Sequence, residues 1–331
     1  MVEKMKIKLD NNEMPRPPPI EILEPVKKSI DKINRYTPHN EVNKLIKLLS
    51  DYSKAPENSI ILSSGSDILI KEFIFLFSRE KQIIIADPTF FLITNAAQKT
   101  SSPLLKIRLK EPGFKLALES FIDEINKPTL IVVDNPNNPT GSLLLNQNDV
   151  KTMLDNENVI LLIDEAYFEF SKITYAHLIN NYPNLAVSRT LSKSFGLAGS
   201  GIGYLIAGEI IQKKFQGLDI MLPSPSVIAA IHALENLDYM IKYVEEINQE
   251  KKRIINLISN MEISVYRSFT NFLLMKTRIY DIGQKFAEQE VFISNVSDNY
   301  SLSTEFIRVT IGSKEENDYF INTLKKIMEL I

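Results

Sequence analysis

Four short apolar runs constrain this chain more than any other feature, because each stops abruptly at a polar cluster. Ile83-Ile84-Ile85-Ala86 stops at Asp87-Pro88-Thr89-Phe90, and Leu130-Ile131-Val132-Val133 at Asp134-Asn135-Pro136-Asn137-Asn138. Val159–Ile163 stops at Asp164, and Leu185–Val187 runs into Ser188-Arg189-Thr190-Leu191-Ser192-Lys193. None alternates apolar with polar residues, and none is long enough for a helix with its own core face. Such runs are strands buried on both sides, the signature of a mainly parallel sheet covered by helices. Ile60-Ile61-Leu62 and Ile202–Ala207 read as further strands of the same sheet. In open sheets of this kind ligands gather at the carboxyl ends of the strands, which is where the polar clusters fall.

The flanks read differently. Met14-Pro15-Arg16-Pro17-Pro18-Pro19 can continue neither a helix nor a central strand, so residues 1–40 are expected to form an N-terminal arm across other structure. Val42, Leu45, Ile46 and Leu49 then mark a helix that opens a large domain, residues 41–225. Past that point Met240, Val244, Ile247, Ile254 and Ile258 fit a long amphipathic helix. Strand-like 272–275 and 306–310 alternate there with helices over 282–288 and 315–331. Residues 226–331 are therefore expected to form a small α+β domain.

Composition removes several function classes. The 331 residues are 44% hydrophobic and 24% charged with a net charge of −3, so neither nucleic acid nor an anionic membrane is an expected partner. Cysteine is absent, and the 3 histidines (His39, His177, His232) stand far apart, so no metal site is expected. Met1–Asp10 has no apolar signal core, and a cytoplasmic location is expected.

The strand ends carry the chemistry. Lys193 presents an amine between Thr190, Ser192 and Ser194, which suits a Schiff-base lysine for pyridoxal 5'-phosphate (PLP) with hydroxyls near the cofactor's phosphate. Asp164 emerges from an apolar strand, where a buried carboxylate is costly unless a cation such as a protonated pyridine nitrogen faces it. The small-residue turn Ser63-Ser64-Gly65-Ser66-Asp67 opens an apolar helix and so offers an anion site, although a plain N-cap explains the same residues.

Asn137-Asn138-Pro139-Thr140-Gly141, Asp164-Glu165-Ala166-Tyr167 and Ser192-Lys193, in that order and spacing, resemble the class I/II aminotransferases of PLP fold type I. The resemblance is strongest to their histidinol-phosphate aminotransferase branch and runs from Leu9-Asp10-Asn11-Asn12-Glu13 to Arg308-Val309-Thr310-Ile311-Gly312. It implies a seven-stranded-type sheet and a ping-pong transfer of an amino group between an amino donor and the 2-oxoglutarate/glutamate pair. It also implies specific roles. Lys193 would hold PLP and serve as base, and Asp164 would pair with the ring nitrogen. Tyr167 and Asn138 would donate to the phenolic oxygen, and Phe90 would stack on the ring. Gly65, Ser66, Asp67, Thr190 and Ser192 would surround the phosphate. Tyr36 would reach the neighbouring subunit's cofactor, implying a homodimer with shared active sites. Arg308 would clamp the substrate's anionic group, with Asn12 and Asn271 nearby. Threonine-phosphate decarboxylases and aminotransferases of aromatic or other amino acids share this framework and stand as alternatives.

Two positions depart from the family pattern. Gly201 stands where relatives carry an arginine on the cofactor phosphate, a loss of about 1.5–3 kcal/mol. Arg189 is the candidate replacement. Ser294, followed by Asn295, stands where a second arginine helps hold the substrate phosphate.

Overall fold

The computed structural model describes residues 6–218 and 221–329. Its twelve strands are β1 (Ile7–Leu9), β2 (Ile60–Ser63), β3 (Gln82–Asp87), β4 (Leu104–Arg108), β5 (Thr129–Asp134), β6 (Val159–Asp164), β7 (Leu185–Thr190), β8 (Gly203–Ala207), β9 (Ser264–Val265), β10 (Phe272–Lys276), β11 (Val291–Asn295) and β12 (Phe306–Thr310). Seven of them form one sheet in the order β2-β8-β7-β6-β5-β3-β4. Only β8 opposes its neighbours, so the α/β fold with a mainly parallel sheet is the one the apolar runs imply.

Burial on both faces explains why those runs are continuous. Alternate side chains of one strand enter different cores: Ile83 and Ile85 join Leu130, Val132, Leu162 and Ala186 under the helices Ser66–Phe77 and Phe91–Gln98. Ile84 and Ala86 join Ile131, Val133, Leu161, Ile163 and Val187 on the opposite side. With no polar face to keep, every position stays apolar.

The second sheet has the order β1-β11-β12-β10-β9. It packs with the helices Asp238–Ile258 and Lys314–Glu329, whose buried stripes include Val244, Ile247, Ile254, Phe320 and Leu324. The N-terminal segment is more structured than an extended arm. Ile7–Leu9 adds a parallel strand beside β11, and Ile20–Ser29 is a helix, with Pro25 inside it, packed against the helix Ser224–Glu235. β4 was not apparent from sequence because it is a partly exposed edge strand carrying Lys106 and Arg108.

Candidate active site

The carboxyl ends of β2, β3, β5, β6 and β7 open into one cavity of about 730 Å³, closed on its other side by β12, the loop after β11 and the segment after β1. Gly65, Ser66, Asp67, Phe90, Asn138, Asp164, Tyr167, Thr190, Ser192, Lys193, Asn12 and Arg308 all line it. Segments separated by nearly the whole chain thus converge on one space.

Its electrostatics are those of a cation–anion pair held apart. Burial, and then the nearby Arg308 guanidinium, push the Lys193 ammonium down to about 8. Its Nζ donates to the Asn11 carbonyl at 3.1 Å. Burial pushes the Asp164 carboxyl up to about 7, opposed by the Ser188 hydroxyl, which donates to Oδ1 at 2.5 Å. Asp164 has no salt-bridging cation among the described residues, so a cation placed in the cavity would relieve a real desolvation cost. Asp67 is likewise raised by burial, with Lys193 pulling the other way.

Tyr167 is buried with its ring edge-on to Phe272 at 5.3 Å, and its hydroxyl accepts from Asn12 Nδ2 at 2.8 Å. Burial raises its pKa. Asn12 adopts a left-handed φ of 56° and is pinned by Thr310, whose Oγ1 accepts from its N–H at 2.9 Å and donates to its Oδ1 at 3.1 Å. Arg308 donates through NH1 to Asn138 Oδ1 at 2.5 Å and to the Tyr300 hydroxyl at 3.2 Å, and through NH2 to the Asp10 carbonyl at 2.7 Å. Its Nε is buried with no hydrogen-bond partner among the described residues. Because Asn138 turns its oxygen toward Arg308, its amide nitrogen is left for another acceptor.

The turn Ser64-Gly65 precedes the helix Ser66–Phe77, with Gly65 at φ 106°. Ser66 and Asp67, in the first turn of that helix where N–H groups lack intrahelical partners, line the cavity, and Ser66, Thr190 and Ser192 add hydroxyls. Gly203 allows the approach: a Cβ there would sit 2.0 Å from the Ser66 nitrogen and 2.4 Å from the Gly65 carbonyl carbon. These features suit PLP: a low-pKa lysine for its aldehyde, an unpaired carboxylate for its ring nitrogen and a helix N-terminus for its phosphate.

Two sequence candidates lie elsewhere. Asn271 is fully buried behind Asn12, donating to the Asn12 carbonyl at 3.0 Å, and does not line the cavity. Tyr36 is 84% exposed and does not line this chain's own cavity. Arg189 does not replace the arginine missing at Gly201. It alternates with Ser188 and Thr190 on β7, so it points to the opposite face, where it pairs with Glu165 Oε2 at 3.0 Å under the Phe168 ring. Gly201 lines the cavity with φ +59°, and a Cβ there would meet only the Ser64 backbone within 4 Å. Ser294 also lines the cavity, register-paired with Arg308. Sequence reasoning assigned no role to Asp134 or Tyr300, yet both line it. Asp134 carried a readable signal, since it ends β5 as Asp164 ends β6. Tyr300 carried none.

The family model for aminotransferase class I and II matches residues 4–324. The chain belongs to the class I and II aminotransferases. Within that family it is of the histidinol-phosphate aminotransferase type. It is 35% identical over 332 residues to a histidinol-phosphate aminotransferase of Sulfurisphaera tokodaii, covering 98% of this chain and 90% of that one. The histidinol-phosphate aminotransferase structure from Clostridium acetobutylicum superposes with a TM-score of 0.89 at 23% identity, covering 98% of this chain and 100% of the other. The Sinorhizobium meliloti enzyme in complex with pyridoxal-5'-phosphate gives 0.86 at 21% identity, covering 98% and 92%. The aminotransferase has PLP fold type I, uses PLP as its cofactor and exchanges an amino group between an amino compound and an oxo acid. No helix among its described residues is long and apolar enough to cross a membrane.

Proposed function

We propose that this aminotransferase moves the amino group of histidinol phosphate to 2-oxoglutarate, as a cytoplasmic homodimer in which Tyr36 of each subunit serves the other's cofactor. One observation carries the catalytic assignment. The Lys193 amine, with its pKa depressed to about 8, shares a cavity with the Asp164 carboxyl, which forms no salt bridge among the described residues, and with the Arg308 guanidinium.

PLP, when bound, supplies a cationic conjugated ring that accepts the electron pair released as the donor's Cα–H bond breaks. The chain's own residues do the rest. Lys193 Nζ, with its pKa lowered to about 8, would hold PLP and, once displaced by the donor's amine, would carry the proton taken from Cα. Asp164 would accept from the protonated ring nitrogen, an interaction strengthened by burial. Tyr167 and the Asn138 amide would donate to the phenolic oxygen, and Phe90 would cover one ring face. Ser66, Thr190, Ser192 and the amides of Ser66 and Asp67 would hold the phosphate without a cation at position 201. Arg308 grips the anionic group of donor and acceptor in turn.

Titrating the PLP-loaded enzyme with histidinol phosphate tests this. Loss of the cofactor's visible band, restored by 2-oxoglutarate, is the expected result. A band that answers glutamate and ignores histidinol phosphate would discard the donor and keep the reaction. The cavity favours one second donor class: Phe90, Phe91 and Tyr300 all line it, with Phe91 edge-on to Tyr300 at 6.4 Å, a wall suited to an aromatic amino acid.

A further inference from the structure

β5 and β6 end side by side on two aspartates, Asp134 and Asp164, which are register partners. Their surroundings differ. Asp164 accepts from one hydroxyl, whereas Asp134, only 2% exposed, accepts four hydrogen bonds from two separate loops. From the loop after β3, Thr89 Oγ1 donates to Oδ1 at 2.6 Å and the Phe90 N–H donates to Oδ2 at 3.1 Å. From its own loop, Asn137 Nδ2 donates to Oδ1 at 2.9 Å and the Asn138 N–H to Oδ2 at 2.7 Å.

Both oxygens are thus used, each shared between the two loops, and every partner is a donor. The connection continues past Asn138, whose Oδ1 accepts from Arg308 and from Tyr300. One buried carboxylate therefore ties the backbone of Phe90 to the backbone of Asn138, and through the Asn138 side chain to the guanidinium on β12. We infer that Asp134 is a positioning residue that sets the ring-stacking face at Phe90 and the anion clamp at Arg308 in a single fixed relation. This rests on the roles proposed above for those two residues.

An aspartate is required because no isostere accepts four times. In Asp134→Asn one oxygen becomes an NH2 group that confronts N–H donors it cannot satisfy, so at least one loop must move. The expected result is a folded variant whose PLP dissociation constant rises about tenfold to a hundredfold. Its KM for glutamate should rise and the visible circular dichroism of its cofactor should change, while kcat survives in part. Thr89→Val removes one donor and keeps the shape, and should shift the same three quantities in the same direction by less.

A merely structural role would lower the melting temperature and leave the cofactor's circular dichroism and the glutamate KM of the folded fraction untouched. That result for Asp134→Asn overturns the inference. If Asp134→Asn does not fold, Thr89→Val decides, and wild-type dichroism with wild-type KM in that variant overturns it equally. The underlying reading fails separately: Lys193→Ala retaining a covalently held chromophore would sink it whatever Asp134 does.

Discussion

Gly203→Ala isolates the close approach on which the proposed phosphate subsite depends. Gly203 opens β8 and is paired with Ser63 of β2 and Thr190 of β7, so its strand is anchored on both sides. A Cβ at this position would lie 2.0 Å from the Ser66 nitrogen, 2.4 Å from the Gly65 carbonyl carbon and 2.6 Å from the Ser66 Cα. All three are backbone atoms, so no side chain can rotate away, and the turn at Gly65-Ser66 must retreat by roughly 1.5 Å to reach ordinary contact. Overpacking of this kind costs about 1–3 kcal/mol of stability. The same retreat pulls the Ser66 and Asp67 amides off the phosphate position. Losing one charge-assisted contact of about 1.5–3 kcal/mol weakens PLP binding by about tenfold to a hundredfold. Titrating the apoprotein with PLP by absorbance, alongside thermal unfolding without cofactor, measures both. Gly199→Ala is the matched control, because nothing lies within 4 Å of its Cβ. If Gly203→Ala bound PLP as tightly as wild type and melted with the Gly199 variant, the close approach would not shape the subsite and the argument would be refuted.

Arg189→Met should destabilise the fold by about 3–5 kcal/mol, because it leaves the Glu165 carboxylate buried without its cation. PLP affinity of the folded protein should be unchanged, and a selective loss of affinity in a protein of normal stability would return Arg189 to the phosphate site. A second expectation concerns pH. Without cofactor, Asp164 and Asp134 have pKa values raised to about 7 and about 6 from an ordinary 3.8. The folded chain then binds more protons than the unfolded one across that window, so this contribution to stability falls as pH rises from about 4 to 7. In the proposed binding mode a cationic ring nitrogen beside Asp164 would cancel its share of the penalty, and the neutral Lys193 amine that such a mode requires is also favoured as pH rises toward 8. The rise in melting temperature on adding PLP should therefore be larger at pH 8 than at pH 5, and an equal or larger rise at pH 5 would contradict it.

The strands β3, β5, β6 and β7 were legible because burial on both faces leaves an unbroken apolar run, and their polar ends marked the site for the same local reason. Lys193 and Asp164 could be singled out from residue type and their place at strand ends, and Asn138 and Arg308 through the family resemblance that the ordered motifs carry. Properties set by distant neighbours could not. β1 exists because Ile7–Leu9 finds β11, and Ile22 is buried because its helix finds Ser224–Glu235, partners some two hundred residues or more away in the chain. The direction of Arg189 follows from which face of β7 holds Thr190 beside the cavity. The reach of Asp134 into the loop after β3 follows from the adjacency of β3 and β5. Local burial writes itself into consecutive residues, so the sequence by itself determined the buried strands of the sheet, its ligand-bearing edge and the chemical groups placed there. Which groups meet across that edge depends on strand order and on the packing of remote segments, and only the tertiary structure decided it.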